Sequence, residues 1–142
     1  MGRERDRLRA MIGRAGVFLA KAQVSLAGAE SEFANGRFNN VPNRVYYACF
    51  QAAVYALAIH GFAPRRGRGH DNGSHEALQA TFVGELINRR KVYPSEVRDV
   101  LVRLQLLRNT ADYDDHWVTE VQASRALRNA RRFVSVIEEG EC

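Results

Sequence analysis

Residues 45–59 read Val-Tyr-Tyr-Ala-Cys-Phe-Gln-Ala-Ala-Val-Tyr-Ala-Leu-Ala-Ile, and a helix drawn through them is apolar on every face. Val45, Tyr46, Tyr47, Cys49, Phe50, Val54, Tyr55, Leu57 and Ile59 cover the circumference, with Ala48, Ala52, Ala53, Ala56 and Ala58 between them. A helix of this kind has to be covered on most sides. It is either the centre of a helical bundle or a helix that lends one face to a second subunit, and its alanines allow a neighbouring helix to approach closely. Gln51 interrupts the run, which also falls short of the roughly 20 apolar residues that cross a bilayer, so no membrane role is expected. Pro42 suits a first helical turn, and the helix is expected over residues 42–60.

Upstream, Leu8, Met11, Ile12, Ala15, Phe18, Leu19, Ala22 and Leu26 recur at three- and four-residue steps, the stripe of a long amphipathic helix over 4–34. The turn formers Asn35-Gly36, Arg37-Phe38-Asn39-Asn40 and Pro42 end it. Downstream, residues 61–73 are rich in glycine and arginine without periodicity, which predicts a mobile basic loop. Ser74 is placed to cap a third helix over 75–90 carrying Leu78, Phe82, Leu86 and Ile87. Ser95 precedes a fourth with Val97, Val100, Leu101, Leu104 and Leu107 on one face. Asp114 or Asp115 is placed to cap a fifth over 116–138, striped by Val118, Val121, Ala126, Ala130, Phe133, Val134 and Ile137. With no strand-like alternation or internal repeat, the expectation is an all-α, up-and-down bundle of about five helices forming a single domain over 1–142.

Composition agrees: 142 residues suit one core, and 46% hydrophobic with 26% charged residues is globular. The net charge of +5 attracts polyanions over about a Debye length, roughly 8–10 Å, although any one arginine more often just solvates a helix face. Cys49 lies in the apolar run and Cys142 at the other end of the chain, without disulfide or metal spacing, which suits a reducing cytoplasm. The charged segment Arg3 to Arg9 lacks the apolar core of a secretory signal.

Polar chemistry crowds between the fourth and fifth helices, at Arg108, Asn109, Asp112, Tyr113, Asp114, Asp115, His116 and Trp117. If the fourth helix continues through Tyr113, Arg108 and Asp112 share one face and Asn109 and Tyr113 a neighbouring one. An arginine fork can hold phosphate, and Asn and Tyr can bond a sugar or base. On residue types alone, an internal Arg108–Asp112 ion pair with the two aspartates capping the next helix is the simpler reading.

The run Asn43-Arg44-Val45-Tyr46-Tyr47-Ala48-Cys49-Phe50-Gln51-Ala52-Ala53, then Gly61, Ser74-His75 and Arg108-Asn109-Thr110-Ala111-Asp112-Tyr113, resembles the HEPN superfamily. In particular it resembles the small stand-alone prokaryotic members with an R-N-x-A-D-Y motif, in order and spacing over about residues 10–138. The resemblance implies a helical, usually dimeric protein that binds RNA or nucleotide. It also implies a metal-independent ribonuclease, often the toxin half of a toxin–antitoxin pair encoded beside a minimal nucleotidyltransferase. In active members an arginine, a polar residue and, after four to six further residues, a histidine line a cleft built by both subunits. The arginine steadies the strained phosphate and the histidine moves protons as the 2′-hydroxyl attacks.

Arg108 and Asn109 fill the first two positions. Tyr113, Asp114 and Asp115 occupy the places where the histidine belongs, and His116 follows with seven residues between it and Arg108. Tyr113, with an ordinary pKa of about 10, is a hydrogen-bond donor and a stacking surface rather than a base. The candidate catalytic set is therefore Arg108, Asn109, Tyr113 and His116. The candidate nucleic-acid contacts are Arg65, Arg66, Arg68, His70, His75 and Asp112. His75 at the start of the third helix is equally suited to capping and to lining the cleft. His60 ends an apolar helix, where the dipole favours a cation, and is expected to be structural. No metal or other cofactor is expected. Two functions stay open: an RNA-cleaving dimer, and a non-catalytic module that binds nucleotide, RNA or a nucleotidyltransferase partner.

Overall fold

The computed structural model describes residues 2–62 and 72–140 of the chain, with the side chains of Leu8, Met11, Ile12 and residues 72–74 outside that description. All regular structure among these residues is helical. Helix α1 spans Gly2–Ala34, a 3₁₀ turn Phe38–Asn40, α2 Val41–Ile59 and α3 Asn72–Thr81. Helix α3 widens into a π-helical segment, Phe82–Arg89. After a 3₁₀ turn at Ser95–Val97 come α4, Val100–Tyr113, and α5, Glu120–Glu139. The all-α bundle expected from the periodicity is present, and no helix is long and apolar enough to cross a membrane among the described residues.

Helix α2 is the centre. Val41, Val45, Tyr46, Ala48, Cys49 and residues 52–58 are buried, and α1, α4 and α5 all pack against it. The apolar circumference of this helix is thus met within one chain. Ala15, Ala22 and Ala29 put small, fully covered residues at seven-residue spacing along α1, which lets the α1 and α2 backbones come close. Phe82 lies between Tyr93 and Phe133, with ring centroids 5.8 and 5.3 Å away, and so ties the π-helical segment to α5. Burial pushes the Cys49 thiol well above its ordinary pKa, so it is packing material rather than a nucleophile.

Two helix ends fall where the pattern places them, and three helix starts do not. Gly36 and Gly61 adopt positive φ of 74° and 90°, closing α1 and α2 where the turn residues suggest. Helix α3 starts at Asn72, however, so Ser74 lies inside its first turn and is not the cap. Ser95 opens the 3₁₀ turn, and α4 begins only at Val100.

Neither Asp114 nor Asp115 caps α5. Thr119 does, accepting from the Gln122 backbone N–H while the Gln122 side chain accepts from Thr119, a reciprocal capping box. Residues 114–119 are therefore a connector, and Val121 is exposed rather than part of the stripe. Asn39, in the turn before α2, spans that connector: its Nδ2 donates to the Ala111 carbonyl in the last turn of α4 and its Oδ1 accepts from Val118 N–H, both at 3.0 Å.

Candidate nucleic-acid interface

Helix α4 does run through Tyr113, and this places Arg108 and Asp112 on one face. Leu101 and Leu104 anchor the inner side of the helix. Arg108, one turn further along, is drawn down against α2, where its guanidinium carbon sits 5.5 Å from the Tyr46 ring and 5.1 Å from the Tyr47 ring. Cation–π attraction to the two ring faces holds it there. Its ion pair with Asp112 is loose, 3.7 Å from Nε to Oδ2, and only 21% of the arginine side chain is exposed. The same Nε is buried and has no hydrogen-bond partner among the described residues. A buried guanidinium N–H left without an acceptor costs about 1–3 kcal/mol.

A polar chain runs from this arginine into α3. Gln79 Nε2 donates to the Tyr46 hydroxyl and to Gln105 Oε1, both at 3.0 Å. The Tyr46 hydroxyl lies 3.0 Å from His75 Nδ1. Burial raises the Tyr46 pKa, an effect that the Gln79 hydrogen bond and the charge of Arg108 partly oppose, so the phenol keeps its proton at neutral pH. The Tyr46 oxygen accepts from Gln79 and still has a proton and a second lone pair, so the direction of its hydrogen bond with His75 follows the imidazole tautomer. His75 also stacks on Phe50 at 4.5 Å between centroids. Tyr46, Tyr47, Phe50, His75, Gln79 and Gln105 form one constellation around Arg108.

Of the residues picked from the sequence, Arg108, Asn109, Asp112 and His75 come together here. Asn109 and Tyr113 are exposed on α4, and the Tyr113 side chain is 82% exposed. His116 sits in the connector, exposed and 3.7 Å from Asp115, and it is not a first-turn residue of α5. Arg65, Arg66, Arg68 and His70 lie outside the described residues, as does the rest of the basic loop expected there. His60 departs from its dipole-based expectation: burial, with a contribution from Arg90, lowers its pKa and favours the neutral ring. Ligand atoms of Asp114, Asp115 and His116 lie within 4.8 Å of one another, all three residues exposed. Solvated groups of this kind are common at connectors and form no cage.

The residues that sequence reading missed are Tyr46 and Tyr47, taken only as core, and Gln79 and Gln105. Their signal was available in part, because Gln79 lies one turn beyond His75 on the same helix face.

Fold and site together make a helical bundle in which a largely buried, incompletely satisfied guanidinium is flanked by aromatic rings, with amides nearby. The HEPN domain model matches residues 15–140, and the chain belongs to the HEPN family. A nucleotide- or RNA-related function follows from that membership, in a family whose domains often dimerise and bind RNA. A comparison with curated proteins found no match.

Proposed function

We propose that the chain binds single-stranded RNA, with Arg108 and Asn109 gripping a phosphodiester. The observation that carries this reading is the unmet Nε–H of Arg108, held against two tyrosine rings with only a loose carboxylate partner. A non-bridging phosphate oxygen would supply the acceptor that Asp112, at 3.7 Å, does not. The chain acts as a homodimer, which would place two such edges in one cleft. Tyr113 and Trp117, with 82% and 81% of their surfaces exposed, are the apolar groups best placed to meet a second copy. Its compartment is the cytoplasm, in keeping with the buried thiol of Cys49.

Metal-independent cleavage of RNA is the second reading, and one observation favours it. His75 stands in the same aromatic constellation as Arg108 although the motif itself lacks a histidine. The family resemblance extends this reading to a toxin role beside a minimal nucleotidyltransferase partner. Labelled RNA incubated with purified protein, with and without EDTA, separates the two. Retention of RNA that depends on Arg108 supports binding, and EDTA-resistant cleavage lost in both Arg108→Ala and His75→Ala adds the enzyme. RNA retention unaffected by Arg108→Ala would overturn the proposal.

A further inference from the structure

Beside Arg108, between α3 and α4, lies a groove of about 330 Å³ lined by Glu76, Gln79, Val102, Gln105, Leu106 and Asn109. That volume is at the small end of the roughly 300–1,000 Å³ usual for ligand sites, suited to one planar heterocycle. Its walls are unlike those of a phosphate site. Glu76 would repel a second anion, and the other polar groups are neutral amides. Val102 and Leu106 are exposed and offer an apolar face to a flat ring.

The Gln79 and Gln105 amides are coupled in orientation, so that one offers an acceptor and the other a donor. Gln79 is 6% exposed, and both of its described hydrogen bonds use Nε2, so its Oε1 is left without a donor among the described residues. Gln105 uses Oε1 to accept from Gln79, which leaves its Nε2 as the donating end. The groove therefore presents an acceptor and a donor side by side, with the Glu76 carboxylate as a further acceptor.

We infer that this groove is a nucleobase subsite for a purine, seated next to the phosphodiester at Arg108; the inference rests on the RNA-binding reading above. Adenine carries an exocyclic amino donor beside a ring-nitrogen acceptor, the pattern that a glutamine or asparagine amide pairs with bidentately. Uracil has a single N3–H to give, to Gln79 or to Glu76 but not to both, and sets a carbonyl against the carboxylate, whereas guanine, with N1–H and amino donors beside O6, fills the same set of groups as adenine. Cytosine shares the donor–acceptor order but offers a smaller ring face to Val102 and Leu106. The Tyr46 hydroxyl that receives Gln79 belongs to the ring that supports Arg108, so one hydrogen-bonded network sets both the base and the phosphate positions.

The test is fluorescence anisotropy with labelled seven-nucleotide oligo(A), oligo(U) and oligo(C), using the full chain, Gln105→Leu, Glu76→Gln and Arg108→Met. The full chain is expected to bind oligo(A) about tenfold or more tighter than oligo(U), the discrimination of one bidentate pair. Gln105→Leu should collapse that ratio towards one. Glu76→Gln, at an exposed position that puts no fold at risk, should reduce it several-fold. Arg108→Met should weaken both oligonucleotides alike and keep the ratio. Equal binding of oligo(A) and oligo(U), a ratio unchanged in both groove variants, or oligo(C) binding as tightly as oligo(A) would overturn the purine subsite and leave the phosphodiester reading standing. Failure of all three oligonucleotides to bind would remove both.

Discussion

Replacing Arg108 by methionine should separate stability from function. The substitution keeps the unbranched stem and removes the guanidinium. It gives up two cation–π contacts, worth about 0.5–1 kcal/mol each at a partly exposed site. It also gives up a loose i,i+4 ion pair worth about 0.3–0.5 kcal/mol. Against this, the unpartnered Nε no longer has to be desolvated, which returns about 1–3 kcal/mol. The terms centre near zero and lose at most about 1.5 kcal/mol, a fall in melting temperature of no more than about 6 °C for a chain of this size.

RNA affinity should respond very differently. Loss of a charge-assisted hydrogen bond to phosphate is worth about 1.5–3 kcal/mol, or roughly a 10- to 150-fold weaker Kd. The slope of log K against log salt should become shallower by about 0.7, the value for one phosphate contact on a single strand. Thermal unfolding followed by circular dichroism, and anisotropy titrations at several salt concentrations, read the two quantities. A melting temperature lowered by about 10 °C with RNA affinity unchanged would refute the reasoning, because Arg108 would then be a structural ion-pair partner.

Three further outcomes follow from the same structure. The His60 pKa is lowered in the fold, so below the ordinary histidine value of about 6.5 the unfolded chain binds the extra proton first. Stability should therefore fall as pH drops from about 6.5 towards the lowered value and stay level above it; urea midpoints between pH 5.5 and 7.5 should show this fall, and His60→Gln should flatten it. Asn39→Leu removes both hydrogen bonds that hold the connector, and should cost about 1–3 kcal/mol in urea unfolding, with faster amide exchange at Val118. Thr119→Ala removes the α5 capping box and should cost about 0.5–2 kcal/mol, whereas Asp114→Ala should leave stability nearly unchanged.

The bundle was legible because burial follows periodicity. Residues 45–59 are apolar all round and occupy the centre, and the stripes on α4 and α5 point inward except at Val121. Helix starts were less legible, since Ser74, Ser95 and Asp114 are all good caps in isolation and local sequence does not say which cap tertiary packing will use. Thr119 prevailed because Asn39 holds the backbone at Val118 out of the helix, a contact spanning 79 positions.

The site was half legible. Arg108, Asn109 and Asp112 announce themselves by chemistry and motif. What supports Arg108 does not, because Tyr46 and Tyr47 read as core residues, and only the packing of α4 on α2 shows that their rings also carry a cation. His75 and Gln79 are joined to that ring by hydrogen bonds across 29 and 33 positions, a relation that no local pattern encodes.

The most direct test of RNA binding at Arg108 watches its Nε–H itself. In ¹⁵N-labelled protein, the Arg108 side-chain Nε–Hε resonance, assigned by its loss in Arg108→Lys, should shift downfield on titration with a short single-stranded RNA, as expected when an unpartnered donor meets a phosphate oxygen. RNA that binds tightly while that resonance stays in place would contradict the account.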